Sequence, residues 1–281
     1  MKVWLKGLFV MRKLLLTGLI SSLSFFTYAV ELQGHLTQGG LVTGQLEGAT
    51  QVSFDGKALK TTQDGFFVFG FGRDAELNHQ LSWVDDGGKS HQQAIVITKR
   101  DYKIDKITGV ASKYVSPPKE VSERITRDAV AVRTARNVDS DLRYFLDPVY
   151  KPAQGRISGV YGSQRYFNGK PRRPHFGLDI ANKTGSSVYA PVSGTVVFAD
   201  NDLYYSGGTL IIDHGHNVTS TYIHLSKLDV KVGDAVTRGD KIAEIGATGR
   251  VTGPHLDWRF NWKGERLDPA LMMLDTLANK K

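Results

Sequence analysis

The sequence predicts a mainly β protein. It reads as a small N-terminal β-sandwich-like module, one linking helix, and a C-terminal antiparallel β domain. Three observations predict this. Short apolar or alternating segments recur along most of the chain, separated by Asp-Gly and Gly-rich turns. One run, Lys119 to Asn137, lacks Gly and Pro and repeats its apolar residues at helical spacing. Beyond that run no segment offers the long helices that a parallel βαβ sheet requires.

Residues 1–29 read as a secretory signal. Arg12 and Lys13 form a basic region, Leu14 to Phe26 an apolar one, and Thr27-Tyr28-Ala29 supplies small residues for cleavage. Met11 is an alternative start that gives a signal of normal length. The apolar run is shorter than the roughly 20 residues a membrane span needs, which favours a signal over an anchor.

Residues 30–98 form the first module. Leu41 to Leu46 alternates, Gln51 to Phe54 runs into the turn Asp55-Gly56, and Gly65 leads into Phe66 to Phe69. Ser82-Trp83-Val84 meets the turn Asp85 to Gly88, and Ala94 to Ile97 closes the set. This spacing suggests a sandwich. The module holds no clustered His, Asp or Glu, so a positioning or folding role is expected, and no motif supports wall binding.

Residues 99–145 are expected to link the domains. Val121, Ile125, Ala129 and Val132 mark one face of an amphipathic helix, expected to pack on a neighbouring domain. A regulatory arm over the active site is the alternative. Residues 146–275 return to strands: Ile157 to Gly162, Ser187 to Pro191, Gly194 to Ala199, Gly208 to Gly215, Thr219 to His224, Val232 to Val236, Lys241 to Gly246 and His255 to Trp262. Asp268 to Asp275 reads as a short terminal helix.

Composition bounds the chemistry. The 281 residues include no cysteine, so a metal site must use His, Asp or Glu. The formal charge is +8. Lys2, Lys6, Arg12 and Lys13 stand in the first 29 residues with no acid, which leaves +4 for the rest. A mildly basic protein suits an anionic polymer. No basic run is interleaved with aromatics, so nucleic acid is not expected as a partner.

Three segments carry candidate chemistry. His175 and Asp179 stand four residues apart after a basic loop, His224 ends Tyr222-Ile223-His224, and His255 and Asp257 follow Gly253-Pro254. In the last strand His255, Asp257, Arg259 and Asn261 share one face, and Leu256, Trp258, Phe260 and Trp262 share the other. One strand thus carries a polar site on one side and anchors it in packing on the other. Together these residues suffice to bind one zinc ion and leave two histidines for acid/base work.

The C-terminal half resembles the lysostaphin-type (LytM-like) zinc endopeptidases, which cut peptide cross-bridges in bacterial cell walls. Their pattern is H-x-x-x-D, then Y-x-H-L, then H-x-H after Gly-Pro. It is met here by His175 to Asp179, Tyr222 to Leu225, and His255-Leu256-Asp257, with Gly194, Gly233, Gly246 and Gly249 in supporting places. The resemblance covers about residues 150–270. It implies a LytM-like antiparallel β peptidase domain, Zn2+ as cofactor, His175, Asp179 and Asp257 as metal ligands, and His224 and His255 as non-ligand catalytic residues. Which histidine does which task stays open.

One position departs from the pattern. The third ligand is usually His and is Asp257 here. Three readings follow: Asp257 binds zinc and the site works, the site binds metal too weakly to act, or the domain is a scaffold that activates other wall enzymes. The first is preferred, because a decayed site would have lost its other groups. Two carboxylates cancel the charge of zinc, and Arg259 on the same face is expected to offset this in part. His214 and His216, expected at a turn after a buried strand, have no ligand role in the pattern. Tyr161, Tyr166, Asn168, Arg172, Arg173, Tyr204 and Tyr205 fall in loops that could wall a groove.

The reading is therefore an exported, periplasmic or secreted zinc metalloendopeptidase that hydrolyses peptide cross-links of peptidoglycan. The alternative is a catalytically inactive regulator that binds and activates a cell-wall amidase or a division protein. A wall-binding module without hydrolysis is a third possibility. Membrane contact is expected only through an uncleaved signal.

Overall fold

The computed structural model describes residues 30–107, 119–167 and 169–274. The expected signal at 1–29, the Pro117-Pro118 break, Asn168 and Asp275 lie outside them. Among the described residues no helix is long and apolar enough to cross a membrane.

The N-terminal part contains β1 (Leu32–Gly34), β2 (Leu41–Gln45), β3 (Thr50–Phe54), β4 (Lys57–Ala58), β5 (Phe66–Gly70), β6 (Asn78–Val84) and β7 (Ser90–Val96). They build two antiparallel sheets, in the orders β1-β2-β5 and β4-β3-β6-β7. Asp55 and Gly56 both take positive φ, the geometry that lets a two-residue turn match strand twist. The sheets meet face to face. Phe54 of β3 stacks on Phe69 of β5 at 4.4 Å, and Phe67, Leu81 and Ile95 are buried beside them. The expected sandwich is therefore present, with β1 and β4 as additions that were too short to show a period in sequence.

Residues 99–145 depart from a plain linker. β8 (Ile104–Ile107) pairs in parallel with β10 (Gln164–Phe167) of the C-terminal part, so it belongs to a sheet. The expected helix over 119–137 resolves into a 3-10 turn at Lys119–Val121 and α1 (Ser122–Arg136). Its stripe does not enter a core: no α1 residue is fully buried, and Val130 is exposed. Polar groups fix the helix instead. Arg124 pairs with Asp202 at 2.9 Å, the Tyr204 N–H donates to Asp128 at 2.8 Å, and Arg136 Nε donates to Thr221 Oγ1 at 3.2 Å.

The C-terminal part contains β9 (Arg156–Gly159), β10, β11 (Lys170–Pro171), β12 (Leu178–Ala181), β13 (Ser187–Tyr189), β14 (Gly194–Leu203), β15 (Gly207–Gly215), β16 (Val218–Leu228), β17 (Ala235–Val236), β18 (Lys241–Ile245), β19 (His255–Trp262) and β20 (Glu265–Leu267). The main sheet runs β17-β14-β15-β16-β19-β12-β9, with antiparallel pairings throughout. Its core face holds Ile180, Leu210, Ile212, Leu256, Trp258 and Phe260, each at most 1% exposed. The strand expected to end at His224 continues to Leu228, because a bulge lets it change partner and pair with β18. The terminal helix is a single turn, α2 (Pro269–Met272), with the Asp268 carboxylate accepting from Ala270 N–H as its cap.

The two parts are bolted together. Arg73 Nε donates to the Gly162 carbonyl at 2.9 Å and Lys263 Nζ to the Ala58 carbonyl at 2.8 Å, and residues 99–145 are tied to each part by Arg100–Asp268 and Lys60–Asp141, both at 2.8 Å. Between them opens a cleft of about 490 Å³, lined in part by Phe71, Arg73, His79, Phe176, Trp262 and Arg266.

Candidate active site

Strand register assembles the site. In the antiparallel pairs β12–β19 and β16–β19, Asp257 stands opposite Asp179 on one side and Ile223 on the other. Leu178 and Ile180 turn into the core, so Asp179 between them turns to the polar face. His175, just before β12, is pinned by reciprocal backbone bonds. Its N–H donates to the Ser163 carbonyl and its carbonyl accepts from Gly162, each at 2.8 Å. Two glycines make the approach possible. A Cβ on Gly177 would lie 2.2 Å from Asp257 Oδ1, and one on Gly159 would lie 2.1 Å from Asp179 Oδ2.

His175, Asp179 and Asp257 each offer one donor atom, and these atoms lie within 4.8 Å of one another. His175 Nε2 is 3.0 Å from Asp179 Oδ1 and 3.4 Å from Asp257 Oδ2. Nε2 and Oδ1 are nonetheless buried without a well-formed hydrogen bond. Buried polar atoms are normally bonded. Two such atoms aimed at a common point with a second carboxylate fit a cation. His175 Nδ1–H donates to the Val160 carbonyl at 3.1 Å, which leaves Nε2 as the free donor to a metal.

His224 and His255 are held alike. Their Nδ1–H groups donate to the carbonyls of Thr248 at 2.9 Å and Gly253 at 2.8 Å, so each presents a bare Nε2. The rings lie 4.9 Å apart, and His255 Nε2 is 3.9 Å from Asp179 Oδ1. His224 sits at the β16 bulge with φ of 68°, a region costly for a residue with a side chain. The bulge carries its ring out of the regular alternation to a place beside His255.

The electrostatics follow from burial against charge. Burial by itself would depress His175, but the carboxylates of Asp179 and Asp257 override it and raise His175 to about 10. Burial would likewise raise Asp257. The Arg259 guanidinium, bonded to both its oxygens, instead holds it well below the usual carboxylate range. Arg259 is thus no solvated surface group; it is the direct partner of Asp257, at 2.8 and 2.5 Å. Burial lowers His224, with Asp257 opposing, which favours the neutral ring.

Other expected residues fall elsewhere. His214 lies inside β15 rather than at its turn, fully buried, with Nδ1–H donating to the Ser193 carbonyl and Nε2 2.8 Å from Ser220 Oγ. Burial lowers it to about 4. His216 forms the turn and packs on Phe145. Tyr161 is buried and donates to the Arg266 carbonyl at 2.6 Å, so it supports the floor rather than walling a groove. Tyr204 meets α1 through its backbone N–H, which donates to the Asp128 carboxylate. Sequence reasoning missed Arg136 and Arg266. Arg266 reaches Asn261 from β20, opposite it in register, and Arg136 arrives from the helix. Neither lies within the short motifs, and no periodicity pointed to them.

Comparison with known proteins finds similar chains. Residues 173–269 match the model of Peptidase family M23. Over these residues the chain is similar to that peptidase family. An uncharacterized metalloprotease of Haemophilus influenzae is 29% identical over 248 residues, 83% of this chain and 48% of that protein. Peptidoglycan DD-endopeptidase ShyA of Vibrio cholerae is 35% identical over 175 residues, 60% of this chain and 40% of that protein. The chain spans less than half the length of these curated relatives. A crystal structure of a candidate M23 peptidase from Pseudomonas aeruginosa superimposes with a TM-score of 0.67 at 26% identity, covering 85% of this chain and 95% of that one. The M23 match contains all five expected site residues and also Arg173, Arg259 and Arg266. Arg136 lies before it.

Proposed function

We propose that this chain is an exported zinc metalloendopeptidase that hydrolyses peptide cross-links of bacterial peptidoglycan. His175, Asp179 and Asp257 hold the metal, and His224 and His255 handle protons. In this reading residues 146–275 are the peptidase domain, residues 30–98 are a positioning module bolted to it, and residues 99–145 connect them. The observation that carries the reading is the convergence of three donor atoms beside two histidines with bare Nε2 atoms. The name of the Vibrio cholerae relative supports a wall substrate. The composition of residues 1–29 supports export.

The donor set is one imidazole and two carboxylates without thiolate, which suits zinc with an open position. When bound, zinc supplies Lewis-acid polarisation of the scissile carbonyl and lowers the pKa of a water. The chain's residues supply the rest. His224, kept neutral by burial, or His255 accepts the proton of the attacking water at Nε2. The C–N bond breaks as the proton passes to the leaving amine. The Nδ1–H bonds to Thr248 and Gly253 keep both rings in one tautomer through the cycle. Arg259 holds the Asp257 carboxylate ionised and oriented.

The test is muropeptide release. The chain is incubated with purified sacculi, with and without a chelator, and products are read by mass spectrometry. Loss of cross-linked dimers that the chelator abolishes is expected. Intact dimers with zinc added, across a range of pH, would overturn the reading.

A further inference from the structure

An antiparallel sheet commonly packs one face on the core and leaves the other open. β15 and β16 do not. All nine residues of β15 and the first eight of β16 are buried, whichever face they turn to. Leu210, Ile212 and Tyr222 belong to the core. Ile211 and Ile223 lie on the opposite face, Ile211 in register with Thr221 and Arg259, and Ile223 with Asp257. Both are at most 6% exposed, and Thr209, Thr219, Thr221 and Asn261 on that face are at most 1% exposed. The face that presents Asp257 is therefore roofed along β15 and β16.

The roof is the chain from Ser122 to Leu142. α1 lies against β14 and β15. At its start Arg124 pairs with Asp202, and the Asp128 carboxylate accepts from the Tyr204 N–H, both at the turn between these strands. At its end Arg136 Nε donates to Thr221 Oγ1, two residues before Ile223. The chain then crosses the next turn: the Ser140 carbonyl accepts from the His216 N–H at 3.2 Å, and the Val138 carbonyl accepts from Asn217 Nδ2 at 2.9 Å. This seat is polar and lightly held. No α1 residue is fully buried, and the Arg124–Asp202 pair is open to solvent, where ion pairs add little. Arg136 has no carboxylate partner among the described residues; burial lowers it, as do the nearby Arg266 and Arg259, so its charge opposes its place. A helix that contributes nothing to a core can leave without undoing the sheet beneath it.

We propose that α1, with the chain to Leu142, is a lid over the site face, and that substrate is admitted when the polar seat of α1 opens. The inference rests on the peptidase reading, since a cross-link inside a polymer carries chain on both sides of the scissile bond. On the β15–β16 side that chain and the lid exclude each other. His224 shows the consequence: a group assigned to proton transfer is 7% exposed. The lid lies before the M23 match, so it is an addition of this chain to the matched region.

The test reads the lid and the chemistry separately. The chain has no cysteine, so Thr221→Cys introduces a sole thiol, on the site face beneath Arg136. Its alkylation by iodoacetamide is followed by mass spectrometry in the full chain, with and without the pair Arg124→Gln and Asp128→Ala. Losing the bond to the charged Asp128 should raise alkylation at least about tenfold, and the pair without the thiol should digest purified sacculi at least about tenfold faster than the unaltered chain. Ser220→Cys, on the core face of the same strand, should stay slow in both backgrounds and marks any loss of fold. Equal alkylation of the Thr221→Cys thiol with and without the pair would overturn the lid. So would faster alkylation beside unchanged, measurable digestion. If the pair unfolds the chain, Arg124→Cys with Asp202→Cys, bridged by a reducible linker, decides instead: digestion should rise at least about tenfold on reduction, and equal rates before and after would overturn the proposal. Faster alkylation in a folded chain, with sacculi intact in every form, would uphold the lid and sink the hydrolase reading.

Discussion

Arg259→Met tests how Asp257 is held. The substitution keeps most of the side-chain stem and removes the guanidinium. Asp257 is 4% exposed at its side chain, and Arg259 binds both its oxygens at 2.8 and 2.5 Å. Removing one member of a buried pair strands the other, at a cost of about 3–5 kcal/mol. His175 stays 3.4 Å from Asp257 Oδ2 and compensates in part, so the lower end, about 3 kcal/mol, is expected. In a chain this long, 1 kcal/mol moves the melting temperature by about 2–4 °C. The metal-free variant should therefore melt about 6–12 °C below the unaltered chain. Zinc offers the stranded carboxylate a new cation. Ligand at a hundred times its Kd stabilises by about 2.7 kcal/mol, so zinc should bring the variant most of the way back to the melting temperature of the metal-free unaltered chain. The assay is thermal melting by circular dichroism, in chelator and in zinc. A metal-free variant within about 2 °C of the unaltered chain would refute the reasoning. So would a deficit that zinc leaves untouched.

Three further outcomes are expected. His214 is fully buried and lowered to about 4, so the folded state prefers it neutral. Its contribution is complete above its ordinary value near 6.5 and is lost as pH falls from there towards 4, by about 3 kcal/mol in all; His214→Asn should flatten the urea-midpoint slope across that window, and equal slopes would exclude the residue as its source. His224→Ala and His255→Ala should each lower kcat/KM by about 10²–10⁴ while zinc stoichiometry by atomic absorption stays at one per chain. Loss of zinc with either would make that histidine a ligand. Gly177→Ala would drive a Cβ to 2.2 Å from Asp257 Oδ1 and 2.8 Å from Arg259 Cγ, so calorimetry should show zinc affinity down at least about tenfold and stability down by about 1–3 kcal/mol. Unchanged zinc affinity would mean that the pair moves freely.

Much of the fold was legible because strand period and turn chemistry are local. The alternation His255 to Trp262 reappears as β19, with the apolar set Leu256, Trp258, Phe260 and Trp262 turned into the core. Asp55-Gly56 makes the turn its residues demand. The helix was legible in position but not in attachment. Spacing marks Val121, Ile125, Ala129 and Val132 as a stripe, while the contacts that fix α1 come from Arg124, Asp128 and Arg136. Periodicity reports apolar faces and is silent about ion pairs.

The sequence by itself determined which residues could bind a metal and move protons. Without cysteine only imidazole and carboxylate donors remained, and the three short motifs named His175, Asp179, His224, His255 and Asp257. Tertiary structure decided what each one faces. Register put Asp257 opposite Asp179, and a bulge at His224 turned that ring towards His255. Packing decided that Arg259 grips Asp257, that His214 is a buried support, and that Arg136 and Arg266, 130 residues apart in the chain, share one polar floor. Those facts depend on distance between segments remote in sequence. Local pattern does not encode that distance; the closing of the sheet creates it.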